Sequence, residues 1–218
     1  MRIIAGQRRG HKIDGPRASA NTRPTSDLVR ESLFNILGEL VIDRTVIDLF
    51  AGTGALGLEA LSRGAGRAIF VEKDRECVGL IHRNVATLRY EDRATVRHAD
   101  AYRWARTFQP ADDHAVVVLL DPPYQDYDRR EKVLNQTIAQ LVGKMPAGSV
   151  IVLEGGRVLD ERVLADVESW DIRRYSSTQI AIKVIAGASG HEGAGPTEPA
   201  GPLQIDRNEN ESENDLDE

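Results

Sequence analysis

Cysteine is nearly absent. Cys77 stands alone in 218 residues, which excludes an internal disulfide framework and a cysteine-built zinc site. Long apolar runs are missing too. Nothing approaches the roughly eighteen consecutive apolar residues of a membrane-spanning helix. The opening Met1-Arg-Ile-Ile-Ala-Gly6 has neither the apolar core nor the small-residue cleavage site of a secretory leader, so a cytoplasmic location is expected. No internal repeat is visible. What remains is ordinary for a globular protein: 41% hydrophobic and 28% charged residues, enough for one sizeable core.

The net charge of −6 hides an uneven distribution. Residues 187–218 hold nine acids against one base, Arg207, so residues 1–186 carry +2. Residues 1–30 hold seven bases against Asp14 and Asp27, a local +5. A basic front and an acidic tail imply a polyanionic partner met at the front. The tail combines glycine, proline and clustered acids with almost nothing apolar. It cannot bury enough surface to offset its ordering entropy and is expected to be disordered.

The front reads as a hairpin: Arg2 to Ala5, a turn through Gly6–Gly10, then His11 to Ile13. Thr22-Arg-Pro-Thr25 is extended, because a residue before proline avoids the helical region. A helix follows, with Leu28, Val29, Leu33, Ile36 and Leu37 at helical spacing and Gly38 at its end. From Thr45 short apolar runs alternate with helical stretches. Strands are expected at 45–50, 67–71, 94–98, 115–120 and 149–153, with helices over 75–88 and near 158–166 among those between them. Trp170–Tyr175 and Thr178–Ile185 have no helix between them and must run antiparallel to each other. The fold class is therefore α/β: a doubly wound sheet ending in an antiparallel hairpin, behind an N-terminal hairpin extension. Residues 1–40 are expected to form a hairpin-and-helix extension that meets the polyanion, 41–186 the main α/β domain and 187–218 the tail.

Ligands of such sheets sit beyond the carboxyl ends of the strands, where strand order reverses. The first strand there runs into Gly52-Thr-Gly54-Ala-Leu-Gly57, which fits the glycine pattern that lets backbone approach a nucleotide. Glu72, twenty residues after Gly52, can accept both hydroxyls of an adenosine ribose, and Asp100 is placed to face the adenine. Taken alone the pattern also suits an NAD-dependent oxidoreductase. Against that, Asp48 would repel a pyrophosphate but suits a cationic amino-acid moiety, and no histidine is placed as a hydride-transfer partner. Two carboxylates about a glycine turn suit S-adenosylmethionine, with contacts expected from Asp48, Phe50, Gly52, Gly54, Glu72 and Asp100 and with no metal.

The fourth strand runs into Asp121-Pro122-Pro123-Tyr124. Prolines cannot continue a central strand, so the chain leaves the sheet beside the glycine turn. An exocyclic amine is a poor nucleophile because its lone pair is delocalised into the base ring. The Asp121 side chain and a main-chain carbonyl, best Pro122, can accept its two N–H bonds and stabilise the positive charge that develops. Tyr124 can stack on the base, and Pro123 stiffens the platform.

Asp121–Tyr124 resembles motif IV of the amino-methyltransferases, and Asp48–Gly57 resembles their motif I. Met1–Gly6, Thr22–Thr25, Val29–Asn35 and Phe50–Gly64 together are similar to the RsmD family, over about residues 1–186. The resemblance implies a seven-stranded class I methyltransferase fold and methylation of the N2 amine of one guanine in small-subunit (16S) rRNA, free or in a ribosomal assembly intermediate. It implies cofactor contacts at Asp48, Gly52 and Glu72 and catalysis at Asp121–Tyr124. The rivals are adenine-N6 methylation of DNA or RNA, which the same motif serves, the NAD-dependent oxidoreductase, and a non-catalytic RNA-binding protein. Phosphate contacts are expected from Arg8, Arg9, Lys12, Arg17 and Arg23, although Arg23 could instead brace the active site. Cys77, Trp104 and Trp170 read as packing residues.

Overall fold

The computed structural model describes residues 1–15 and 27–187. Arg17, Arg23, the Thr22–Thr25 connector and residues 188–218 lie outside the described residues. No described helix is long and apolar enough to cross a membrane.

Seven strands form one sheet: β1 (Thr45–Leu49), β2 (Arg67–Glu72), β3 (Ala94–His98), β4 (Val116–Leu120), β5 (Val150–Gly155), β6 (Asp171–Tyr175) and β7 (Thr178–Val184). Their order is β3-β2-β1-β4-β5-β7-β6. The first five are parallel. β7 runs antiparallel into the gap between β5 and β6, so the closing hairpin joins the sheet through its second strand. Strand order reverses between β1 and β4, where Leu49 pairs with Leu120. That pair lies at the carboxyl ends of both strands and opens the crevice there.

β4 is apolar at every position, and β5 is buried throughout and apolar as far as Leu153, because both faces are covered. Successive residues go to opposite sides. Val46, Val117 and Val150 join one core with Val29, Leu33 and Phe34 of α1 (Asp27–Leu37) and Leu58 and Leu61 of α2 (Ala55–Ser62). Ile47, Val118 and Ile151 join the other with α4 (Ala101–Thr107) and Leu134, Ile138 and Leu141 of α5 (Glu131–Lys144). Each such side chain contributes about 1.5–3 kcal/mol by leaving water. α3 (Arg75–Leu88) starts where expected because Asp74 caps it, its carboxylate accepting from the Glu76 and Cys77 N–H groups at 2.8 and 2.9 Å.

The expected hairpin forms, with an antiparallel bridge between Arg2 and Lys12 and a short 3-10 turn at Gly6–Arg8. Its Ile3 and Ile13 are buried in the first core. One helix expected from the sequence is not there. Residues 158–160 are irregular and 161–166 form successive turns, followed by a 3-10 turn at Val167–Ser169. Leu159, Val163 and Leu164 are buried as a helix would bury them. However, the Asp160 side chain turns back onto Arg162, whose N–H and guanidinium it binds, and Asp166 adopts the left-handed region at φ +51°.

Candidate active site

β1 delivers the chain to the crevice and then turns sharply. Phe50 has φ +65°, a conformation rare for a side chain of this size. Gly54 follows at φ +79° as the residue preceding α2, where only glycine is unstrained. Gly57 answers a different need: a side chain there would run into the Phe70 ring of β2, so its absence lets α2 lie close on the sheet. Around Gly52 the outer side of the turn is open, since a Cβ would meet only the Phe50 carbonyl oxygen at 4.0 Å. That opening is where a nucleotide can approach backbone.

Glu72 ends β2 and reaches into this turn. One carboxylate oxygen accepts from the Gly52 N–H and the other from the Asp74 N–H, each at 2.8 Å. The side chain therefore joins the two loops, and each oxygen keeps a second lone pair for a ligand hydroxyl. Asp100 caps α4 through the Arg103 N–H at 2.9 Å and faces the Arg130 guanidinium at 3.7 Å. The donor and acceptor set at this edge fits the adenosine end of S-adenosylmethionine.

Asp48 lies deepest of the three acids. It is 1% exposed, and one oxygen accepts from the Gly57 N–H at 2.9 Å, so it fastens the start of α2 from behind the turn. Burial pushes its carboxyl well above the usual carboxylate range, partly offset by the Gly57 bond, and the nearby charges of Asp121 and Glu72 push it further. The side chain has almost no solvent-facing surface, and the contact the structure shows for it is a positioning one, at the Gly57 N–H.

The chain leaves β4 at Asp121, whose N–H donates to the Leu49 carbonyl at 3.4 Å. The proline-containing turn thus sits directly beside the end of β1. Pro122 is buried and Asp121 and Pro123 are half-buried, whereas Tyr124 is 63% exposed. The turn closes on itself: the Asp126 N–H donates to the Pro123 carbonyl at 2.8 Å, and the Tyr127 N–H to the Tyr124 carbonyl at 3.3 Å.

Sequence reasoning missed the groups that hold this turn. The Tyr127 hydroxyl donates to the Glu154 carbonyl of β5 at 2.7 Å. The Tyr102 hydroxyl donates to the Asp126 carboxylate at 2.9 Å, and the Phe50 ring meets the Tyr102 ring edge-on at 4.9 Å between centroids. A chain of contacts therefore links the turn after β1 to the turn after β4. No local motif carries it, because its members come from separate stretches of the chain. Asn84 was also missed. Buried in α3, it donates to the carbonyls of Thr53 and Asp14 and accepts from the Asp14 N–H, fixing the glycine turn to the end of the hairpin. Its only sequence signal was a polar residue on the buried face of an amphipathic helix.

The N-terminal bases are placed unequally. The Arg8 Nε donates to the carbonyl of Leu88, the last residue of α3, at 2.9 Å, and its guanidinium lies over the Tyr90 ring. The Arg8 N–H donates to Ser62, the last residue of α2. Both helices begin at the crevice and end at the opposite edge of the sheet. The hairpin tip is consequently at the edge away from Asp121, and Arg8 is largely occupied there. Arg9 and Lys12 are exposed. Trp170 is buried in the second core, and Trp104 stacks on Phe108. Cys77 is half-buried in α3, and burial pushes its thiol up to about 11.

The sheet order, the single reversed strand and the crevice above β1 and β4 define the chain as a class I methyltransferase. A family model described as conserved hypothetical protein 95 matches residues 1–184, and the chain belongs to that family, the RsmD methyltransferases. Ribosomal RNA small subunit methyltransferase D of Escherichia coli is 42% identical over 138 residues, which are 63% of this chain and 65% of that protein. The chain thus spans just under two thirds of that relative's length. A structure solved from Escherichia coli under a provisional methyltransferase name is 31% identical with a TM-score of 0.68, covering 85% of this chain and 98% of that one. An RNA methyltransferase from Salinibacter ruber, solved with S-adenosyl-L-homocysteine, shares the fold at 16% identity and a TM-score of 0.54, covering 78% and 98% of the two chains. Neither the oxidoreductase nor the non-catalytic reading is favoured by these likenesses.

Proposed function

We propose that this chain transfers a methyl group from S-adenosylmethionine to the exocyclic N2 amine of a guanine in small-subunit rRNA, presented free or in an assembling ribosomal particle. The observation that carries this reading is the Asp121–Tyr124 turn, set beside the glycine turn at the point where strand order reverses. The rRNA substrate is supported by the name of the Escherichia coli relative, and guanine by the resemblance of the N-terminal motifs.

Glu72 would hold the ribose and Asp100 the adenine, with Phe50, Gly52 and Gly54 shaping the bed beneath them. Asp48 acts on that bed from behind by fastening α2. When bound there, S-adenosylmethionine supplies an electrophilic methyl group on a sulfonium. The rest is done by side chains and backbone of this chain. Asp121 and the Pro122 carbonyl accept the two N–H bonds of the amine, hold its nitrogen in line with the methyl group and stabilise the positive charge that develops as the N–C bond forms and the S–C bond breaks to leave a neutral thioether; the methylated amine then gives up one proton to water. Tyr124, exposed beside them, stacks on the extruded base, and Pro123 limits the motion of the platform. Arg9 and Lys12 serve as phosphate contacts that hold register, with Arg17 and Arg23 as further sources.

The test is methyl transfer to small-subunit rRNA by the wild type and by Asp121→Ala, with cofactor affinity measured in parallel. Asp121→Ala should lose most turnover and keep its cofactor affinity, because its contacts form with the amine in the transition state. Wild-type turnover in that variant would overturn the mechanism.

A further inference from the structure

Gly156 follows directly on β5, and nothing in its own backbone calls for glycine: its φ lies outside the left-handed region that disfavours side chains. What excludes a side chain is a neighbour. A Cβ built on Gly156 would lie 2.7 Å from Cε2 and 2.9 Å from Cδ2 of Tyr124, closer than real Cβ atoms come. The bare Gly156 backbone therefore forms the seat for one side of the Tyr124 ring. This seat lies just past the stretch of β5 that anchors the rest of the turn, where the Tyr127 hydroxyl is bound two residues earlier at the Glu154 carbonyl.

We infer that Gly156 is a positioning residue for the methyl transfer, seating the Tyr124 ring where it can receive the target base; the inference rests on the reading of Tyr124 as the base platform. The physical reason is an asymmetry of cost. Tyr124 is mostly solvent-exposed, so a methyl group at position 156 would push the ring outward with little penalty to folding. A ring moved by even an ångström no longer presents the base amine to Asp121 in line, and geometry of that kind governs rate more than stability. Gly155 provides the contrast one residue earlier. Its Cβ would meet Leu159 Cδ2 at 2.6 Å, a side chain buried in the second core, so substitution there strains the fold itself.

A double-mutant cycle tests this. Gly156→Ala, Tyr124→Ala and the double variant are compared by steady-state methylation of small-subunit rRNA, by calorimetric titration with S-adenosylhomocysteine and by thermal unfolding. Gly156→Ala should lower kcat/KM for the RNA at least about fivefold, the smaller end of what losing a base–aromatic stack costs. Its affinity for S-adenosylhomocysteine and its melting temperature should stay at the wild-type values. In the Tyr124→Ala background, where no ring remains to be displaced, adding Gly156→Ala should change kcat/KM by less than about twofold. If Gly156→Ala keeps wild-type kcat/KM while Tyr124→Ala is impaired, the inference falls and the base-platform reading stands. It also falls if the Gly156→Ala loss persists in full without the ring, or if melting temperature drops in step with activity. Wild-type kcat/KM in Tyr124→Ala would overturn the platform reading and the seat with it.

Discussion

Asp48 and Glu72 are both acids at the rim of one crevice, and the fold uses them differently. Glu72 keeps ligand-accepting capacity while joining two loops, whereas Asp48 is sealed behind the glycine turn. Glu72→Ala should therefore weaken binding of S-adenosylmethionine by about 1.5–3 kcal/mol, the scale of hydrogen bonds to a charged group, as read by calorimetry. Unchanged affinity would remove Glu72 from the site. For Asp48 the prediction concerns pH. Its carboxyl is raised by burial, so whatever stability it contributes is present at low pH and is lost as pH rises through the raised value. An asparagine can still accept from the Gly57 N–H but cannot ionise. Urea midpoints of Asp48→Asn should therefore rise relative to wild type as pH climbs above the ordinary carboxylate range; a difference independent of pH would contradict the buried assignment. The Cys77 thiol, at about 11, should alkylate slowly at neutral pH and faster as pH approaches that value.

Among the elements, the N-terminal hairpin changes most in meaning once its surroundings are known. Its backbone is held by Glu59, a fully buried acid of α2 that accepts from the N–H groups of Ile4 and Ala5 and from Arg63, with the buried Arg30 at 3.9 Å. Glu59→Ala should cost about 3–5 kcal/mol in urea unfolding, because it leaves the Ile4 and Ala5 N–H donors unpaired and removes one of the two carboxylates that face the buried Arg30, which keeps Asp27. Changing Arg8, Arg9 and Lys12 together to Ala should flatten the salt dependence of RNA binding, by roughly 0.7–0.9 in log–log slope for every phosphate no longer neutralised. With Arg8 occupied at Leu88, that flattening should come from Arg9 and Lys12. An unaltered slope would make the hairpin a structural brace alone. The parallel strands were legible in the sequence because burial on both faces writes them as unbroken apolar runs, as in Val116–Leu120. α3 was legible from its periodicity. Residues 158–166 misled because their apolar spacing is genuine: Leu159, Val163 and Leu164 are buried, but on an irregular stretch and turns broken by Asp160 and Asp166. The insertion of β7 between β5 and β6 is a tertiary choice that no local pattern records. Within the site, Asp121–Tyr124 and the glycine turn could be read because each is contiguous. Tyr102, Asp126, Asn84 and Gly156 could not, since each acquires its role from a distant partner.

For the whole molecule, the sheet order brings two turns that lie some seventy residues apart in the chain to adjacent strand ends, one proposed to bed a cofactor and the other to present an amine to it. Each works only beside the other. Tyr102 stands between them, touching Phe50 on one side and bonded to Asp126 on the other. Tyr102→Phe should therefore lower kcat for RNA methylation with little change in cofactor affinity. Equal losses in both would place Tyr102 in the cofactor bed alone. Along the sequence the charge is divided as well, with a basic front and an acidic tail. All of this depends on one chemical event. The most direct test is mass spectrometry of nucleosides from small-subunit rRNA that lacks the modification, after incubation with S-adenosylmethionine and either the wild type or Asp121→Ala. N2-methylguanosine should form with the wild type and almost none with the variant. N6-methyladenosine in its place, or equal N2-methylguanosine from both proteins, would contradict the proposed chemistry.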